Sequence, residues 1–111
     1  MIIDIHTHTF PDAIAARAVD KLKHNSHTEP VLDGTALSLS ASSKAAGVDL
    51  AVIQPVATSP AQVKEINDAA IERNRTSSVT RLASFGCMHP AFGAPEEECA
   101  RLAEAGQQTG A

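Results

Sequence analysis

The chain has 111 residues, 43% of them hydrophobic, and its composition excludes collagen-like, disulfide-framework and low-complexity proteins. A formal net charge of -4, without any cluster of Lys and Arg, disfavours a nucleic-acid partner. No apolar run approaches the roughly 20 residues that cross a bilayer, and the N-terminus has no secretory-signal pattern. We therefore expect one cytoplasmic domain with no membrane partner and with Cys87 and Cys99 reduced.

The first half of the chain predicts a strand followed by two helices. The β-branched segment Ile2–His6 predicts a strand that starts almost at the first residue. Pro11 suits the first position of a helix, and apolar residues recur after it with helical spacing. After a polar loop, a second helix is expected over 35–46, with Gly47 as its left-handed C-terminal cap.

The second half continues the alternation of strands and helices. Residues 48–54 form an apolar run typical of a strand that is buried on both faces of a parallel sheet. A capping box at Ser59 begins the next helix. Its predicted buried stripe consists of Val63, Ile66, Ala70 and Ile71.

A third strand is predicted over 82–88, and a last helix from Pro95 to Gly106. Residues 107–111 are polar and predict a disordered tail. Strands that alternate with helices indicate a mixed α/β fold, with about three parallel βα units and an open sheet.

Two histidines at the end of the first strand are the main candidates for metal ligands. His6 and His8 are two residues apart, so an extended strand points both side chains to one face, about 7 Å apart. Imidazoles suit Zn, Mn, Fe or Co, and a catalytic zinc site usually has three protein ligands and a water. At least one more ligand must come from elsewhere. The alternative is that the two histidines form a solvated rim.

A longer pattern around these histidines resembles a known enzyme family. Asp4-Ile5-His6-Thr7-His8-Thr9-Phe10-Pro11 is similar to the opening D-x-H-x-H…P of the amidohydrolase superfamily, most closely the branch of amidohydrolase-related hydrolases and decarboxylases. Residues 46–53 resemble the second core strand of that branch, and residues 82–90 resemble its third. The resemblance runs from residue 1 to about residue 106.

That resemblance implies the first part of a TIM-type (β/α)8 barrel, with His6 and His8 as ligands of a divalent metal, zinc first and Mn, Fe or Co as alternatives. It implies metal-activated water acting on a C–N or C–O bond of a small-molecule substrate, or decarboxylation of a small acid. Family members take further ligands and a general base from later strands, which have no counterpart here. A whole barrel takes about 250 residues. We therefore expect residues 1–111 to be a single incomplete, truncated domain with little or no activity alone.

Two further side chains are candidates for supporting roles. Asp4 shares the predicted face of the histidines and is a candidate to orient an imidazole, with a polar contact at the barrel floor as the alternative. His89 follows the third strand and is a candidate for substrate contact at the rim, with an ordinary loop residue as the alternative. Cys87 and His89 are disfavoured as ligands beside the first pair, because two strand spacings of about 4.8 Å would separate them.

Two other functions fit the same sequence. A non-catalytic α/β module would persist as a homo-oligomer through its open sheet edges, whose unpaired backbone groups favour self-association. A fragment of a TatD-like nuclease or of a polymerase-and-histidinol-phosphatase type enzyme would share the H-x-H strand. The matches at the second and third strands disfavour both of these enzymes, and the absence of a basic cluster also disfavours the nuclease.

Overall fold

A three-stranded parallel sheet in the order β1-β2-β3 forms the centre of the computed structural model, which describes residues 1–109. The strands are β1 (Ile3–Thr7), β2 (Leu50–Ile53) and β3 (Leu82–Ser84). The helices are α1 (Asp12–Ser26), α2 (Ala36–Ala45), α3 (Val63–Arg75), α4 (Ser77–Thr80) and α5 (Pro95–Thr109). The expected α/β class with an open parallel sheet is confirmed.

The central strand follows its sequence pattern closely. Ala51, Val52 and Ile53 are all buried, as predicted for a strand that is covered on both faces. Before it, Gly47 has a φ of +73° and donates its N–H to the carbonyl of Lys44 at 3.2 Å. This confirms the predicted left-handed end of α2, and it turns the chain directly into β2.

The helix after β2 begins with the predicted capping interaction. The side-chain oxygen Oε1 of Gln62 accepts hydrogen bonds from the backbone N–H groups of Thr58 (2.8 Å) and Ser59 (3.3 Å). A single 3-10 turn, Pro60–Gln62, precedes α3. In α3 itself, Val63 and Ala70 of the predicted stripe are buried, whereas Ile66 and Ile71 are only half-buried.

The first strand differs from the sequence expectation. Asp4 pairs with Ala51, and Thr7 pairs with Ile53. The chain therefore advances three residues along β1 for two along β2, which is the pattern of a β-bulge. Ile3 and Ile5 alternate along β1 but are not covered by a helix, since they are 45% and 64% exposed. Of the five β1 residues only Thr7 is buried, and its Oγ1 donates to the Val52 carbonyl at 2.9 Å.

The C-terminal helix is longer than predicted. α5 continues past Gly106 to Thr109, since a glycine lowers helix propensity without forcing a helix to end. Of the predicted disordered tail, residues 107–109 are therefore helical, and residues 110–111 lie outside the described residues. Within 1–109, Cys87 and Cys99 are free thiols, and no helix combines the length and apolarity that a bilayer span requires.

Candidate functional site

The two imidazoles singled out in the sequence lie side by side at the carboxyl end of β1. The centroids of the His6 and His8 rings are 5.2 Å apart, and the ring planes are inclined at 66°. Both residues are exposed. The strand thus brings the two side chains together, as their spacing predicted, and leaves them accessible from solvent.

Gln54, the residue that follows β2, fixes the position of His8. Its backbone N–H donates to the Thr7 carbonyl, and its side-chain Nε2 donates to the Ile5 carbonyl, both at 2.8 Å. Its own carbonyl oxygen lies 2.8 Å from Nδ1 of His8. A carbonyl can only accept, so Nδ1 of His8 carries a proton, and Nε2 is the ring nitrogen that can offer a lone pair to a ligand.

His6 is held through its backbone rather than through its ring. Its N–H donates to Oδ1 of Asp4 at 3.2 Å. Asp4 therefore stabilises the backbone of the bulged strand, and no hydrogen bond in the described part of the chain joins its carboxylate to either imidazole. Unlike His8, His6 has no ring nitrogen engaged by another residue among those described.

His89 lies in the turn after β3, where local contacts hold it. Its Nδ1 accepts a hydrogen bond from the N–H of Ala91 at 3.1 Å, and its carbonyl accepts one from Phe92 at 2.9 Å. Burial, with the Glu98 carboxylate nearby, raises the pKa of the neighbouring Cys87 thiol and disfavours the thiolate that binds metals. Among residues 1–109, no group of three or more His, Cys, Asp or Glu side chains is placed to hold a metal ion.

A buried polar cluster, which the sequence interpretation missed, joins α3 to α5. Asn67 is fully buried, and Glu98 is 2% exposed. Nδ2 of Asn67 donates to Oε1 of Glu98 at 2.8 Å, and Arg101 contacts the same carboxylate through Nε (3.0 Å) and a terminal nitrogen (2.7 Å). The hydrogen bonds from Arg101, assisted by Asn67, lower the pKa of Glu98 despite its burial.

Two asparagines of α3 also bind the backbone of the chain in and after β3. Asn67 accepts from the Cys87 N–H (2.7 Å) and donates to the Cys87 carbonyl (3.0 Å). Asn74 accepts from the Ser84 N–H (2.8 Å) and donates to the Ser84 carbonyl (2.9 Å). Each carboxamide thus pairs with one residue as a neighbouring strand would. The helical spacing of Val63, Asn67, Ala70 and Asn74 was the signal that could have revealed both.

The described chain therefore offers two distinct sets of polar side chains: an accessible imidazole pair and an internally satisfied structural cluster. No protein-family model, no curated protein and no solved structure matches the chain. The hydrogen bonds of Asn67, Glu98 and Arg101 are directed at one another, at Asp68 and at the backbone, whereas both imidazoles are exposed and His6 has no ring nitrogen engaged among the described residues.

Proposed function

We propose that this chain is the N-terminal part of a metal-dependent hydrolase or decarboxylase of the amidohydrolase type, folded as the first three βα units of a TIM-type barrel. His6 and His8 are its divalent-metal ligands. The observation that carries the proposal is the adjacent pair of exposed imidazoles at the carboxyl end of a strand in a parallel sheet. Catalytic groups of parallel barrels gather at that end.

The separation of the two rings supports a shared ion. With a Zn–N distance of about 2.0–2.1 Å, a bound imidazole has its centroid about 3.2 Å from the ion, and two such rings at a tetrahedral angle have centroids about 5.2 Å apart. The centroids of His6 and His8 are 5.2 Å apart. The separation of the centroids is therefore the one expected for two imidazoles on one tetrahedral ion.

The hydrogen bond of His8 supports the same role. Histidines that bind metals commonly donate their second ring nitrogen to a carbonyl or a carboxylate, which fixes the tautomer and the ring orientation. Here the Gln54 carbonyl accepts from Nδ1 of His8, so Nε2 is the nitrogen available to an ion. Gln54 is itself bound to β1 by two further hydrogen bonds, and this makes its carbonyl a rigid acceptor.

The proposed chemistry sets limits on the activity of this chain. A bound divalent ion such as zinc lowers the pKa of its water to about 7 and supplies a nucleophile for a small-molecule C–N or C–O bond, or assists loss of carbon dioxide from a small acid. Two imidazoles make half of a tetrahedral ligand set, and no third His, Cys, Asp or Glu side chain within residues 1–109 is placed to complete it. We therefore propose weak metal binding and little or no turnover by this chain alone, in a reducing, cytoplasmic setting that fits its free thiols.

Metal analysis of a double variant tests the proposal. After equilibrium dialysis against zinc, wild-type protein is expected to retain the ion, and the His6→Ala, His8→Ala variant is expected to lose at least about 100-fold in zinc affinity, because both ligands are removed. The matched control is the His24→Ala, His27→Asn variant, which removes two other exposed histidines. Asparagine tolerates the φ of +55° at residue 27. Equal, negligible zinc in wild type and double variant would remove the metal proposal and leave the fold description intact.

A second candidate function is a non-catalytic module that assembles through an open sheet edge. The observation that favours it is the exposure of Ile3 and Ile5 along β1, since apolar edge strands promote association. Solution mass in the absence of metal tests it: a discrete dimer in excess chelator would support the module, and a monomer would oppose it.

A further inference from the structure

A groove between two helices and the sheet contains a half-buried arginine that has no partner. The groove has a volume of about 370 Å³ and lies between α2, the C-terminal part of α3 and the start of β3. Arg73 of α3 lines it. The guanidinium of Arg73 makes no hydrogen bond or ion pair with the residues of 1–109, and burial lowers its pKa. This positive charge is therefore partly removed from water without an acidic group to compensate it.

The other arginines of the chain are either paired with an acidic residue or exposed. Arg101, which is also half-buried, contacts Asp68 at 2.6 Å and Glu98 at 2.7 Å. Arg17 lacks an acidic partner among the described residues, but it is exposed, so water can solvate its charge. Within the described chain, Arg73 is thus the half-buried arginine whose charge is left uncompensated.

The end of α3 does not account for the place of this guanidinium. Basic side chains in the last turn of a helix often bind its last carbonyl groups. Here the Arg73 carbonyl accepts from the N–H and from Oγ1 of Thr76, both at 3.1 Å. Thr80, which also lines the groove, donates its Oγ1 to the Thr76 carbonyl at 3.1 Å. Both hydroxyls are bound to the backbone, so among the residues that line the groove only Arg73 keeps unused side-chain donors.

The remaining lining of the groove is mainly apolar. Ala36, Ala69 and Leu82 form an apolar wall beside Arg73. Sites for small molecules typically combine apolar walls with a few polar groups that fix the orientation of the ligand. The N–H groups of a guanidinium form a planar fork that matches the two oxygens of a carboxylate. The groove therefore suits a ligand that has a carboxylate at one end and an apolar body at the other.

We propose that this groove binds a small organic acid, whose carboxylate accepts two hydrogen bonds from Arg73 and whose body packs against the apolar wall. The carboxylate restores a partner to the half-buried charge. Glu72 is the acidic residue that lines the groove, and its carboxylate is 3.1 Å from Arg75, which offsets its charge. Leu82 begins β3, whereas the imidazole pair lies at the carboxyl end of β1, so the inference does not rest on the metal proposal.

NMR titration of ¹⁵N-labelled protein with benzoate at neutral pH tests the inference. We expect saturable shifts of the Arg73 Nε–H and of the Leu82 backbone amide, with no saturable shift at the exposed Arg17. Acetate should bind at least about tenfold more weakly than benzoate, because it lacks a body that fills the groove.

Two substitutions separate the fork from the charge. Arg73→Gln should weaken benzoate binding at least about tenfold, because the charge-assisted pair is lost. Arg73→Lys, which keeps the charge without the planar fork, should bind with an intermediate affinity. Arg17→Gln is the matched control and should bind as wild type does. Circular dichroism establishes that each variant is folded.

Three results would overturn the inference. Benzoate shifts that grow without saturation, and equally at Arg73 and Arg17, would show only general attraction to arginine. Unchanged affinity in a folded Arg73→Gln variant would place the ligand elsewhere on the protein. Inorganic phosphate that binds as tightly as benzoate would mean that the apolar wall is not used, and it would rule out the assignment of an organic acid.

Discussion

Replacing Asn67 with alanine is expected to lower the free energy of unfolding by about 3–5 kcal/mol. Asn67 is fully buried, and its carboxamide satisfies both backbone groups of Cys87 and one oxygen of Glu98. The alanine variant leaves both backbone groups of the half-buried Cys87 without a partner and removes one of the two hydrogen bonds to Oε1 of Glu98, which Arg101 still contacts. Each unsatisfied buried polar group costs about 1–3 kcal/mol. A small domain has about 5–15 kcal/mol in total, so the variant should be close to unfolding at room temperature.

Urea unfolding followed by circular dichroism measures this loss. The matched control is Glu65→Ala, because Glu65 is exposed on the same helix and makes no hydrogen bond or ion pair among the described residues. We expect the control to change the free energy of unfolding by less than about 0.5 kcal/mol. A loss below about 1 kcal/mol for Asn67→Ala would show that the cluster between α3 and α5 does not hold the fold together.

Acid is expected to destabilise the protein through Glu98. In the folded state the pKa of Glu98 is lowered, first by the hydrogen bonds from Arg101 and also by the one from Asn67. These hydrogen bonds outweigh burial, which alone would raise the pKa. A carboxyl whose pKa is lower in the folded state than in the unfolded state stabilises the fold when it is ionised. This contribution is complete above the unfolded-state pKa, about 4.3, and it is lost as the pH falls through the folded-state pKa. The free energy of unfolding of the wild type should therefore fall as the pH drops from about 5 toward 3.

Replacing Glu98 with alanine should lower the free energy of unfolding by about 2–4 kcal/mol at pH 7, because the substitution leaves buried donors unpaired.

The Glu98→Gln variant separates the effect of ionising Glu98 from the effect of losing its side-chain contacts. Glutamine keeps the side-chain shape and an acceptor oxygen but cannot ionise, so the free energy of unfolding of this variant should depend less on pH between about 5 and 3 than that of wild type. Glu97→Gln is the control, because Glu97 is exposed on the adjacent position of α5. Identical pH profiles for wild type and Glu98→Gln would mean that Glu98 does not contribute to acid stability.

Elements with strong local signals were predicted correctly from the sequence. The apolar run of β2 has no exposed face, so its burial follows from composition alone. The left-handed Gly47 and the Gln62 capping interaction depend on contacts within a few residues, which sequence patterns encode directly. The nearness of His6 and His8 likewise needs only the two-residue period of a strand.

Features that depend on distant partners were not predictable. The bulge in β1 is set by its register against β2, which no pattern in residues 2–8 reveals. The bond between His8 and Gln54 joins residues 46 positions apart. The helical spacing of Asn67 places it on the buried stripe, but its partners, Glu98 and the Cys87 backbone, lie far along the chain, and no local pattern identifies them.

Imidazole nitrogen NMR of uniformly ¹⁵N-labelled protein at neutral pH, recorded before and after addition of zinc, tests most directly the claim that His6 and His8 are preorganised to bind one ion. The account predicts a His8 ring with a proton on Nδ1, and zinc-dependent shifts at Nε2 of His8 and at one His6 nitrogen, while His24 is unchanged. A His8 ring protonated only on Nε2, or zinc shifts of equal size at His24, would contradict it.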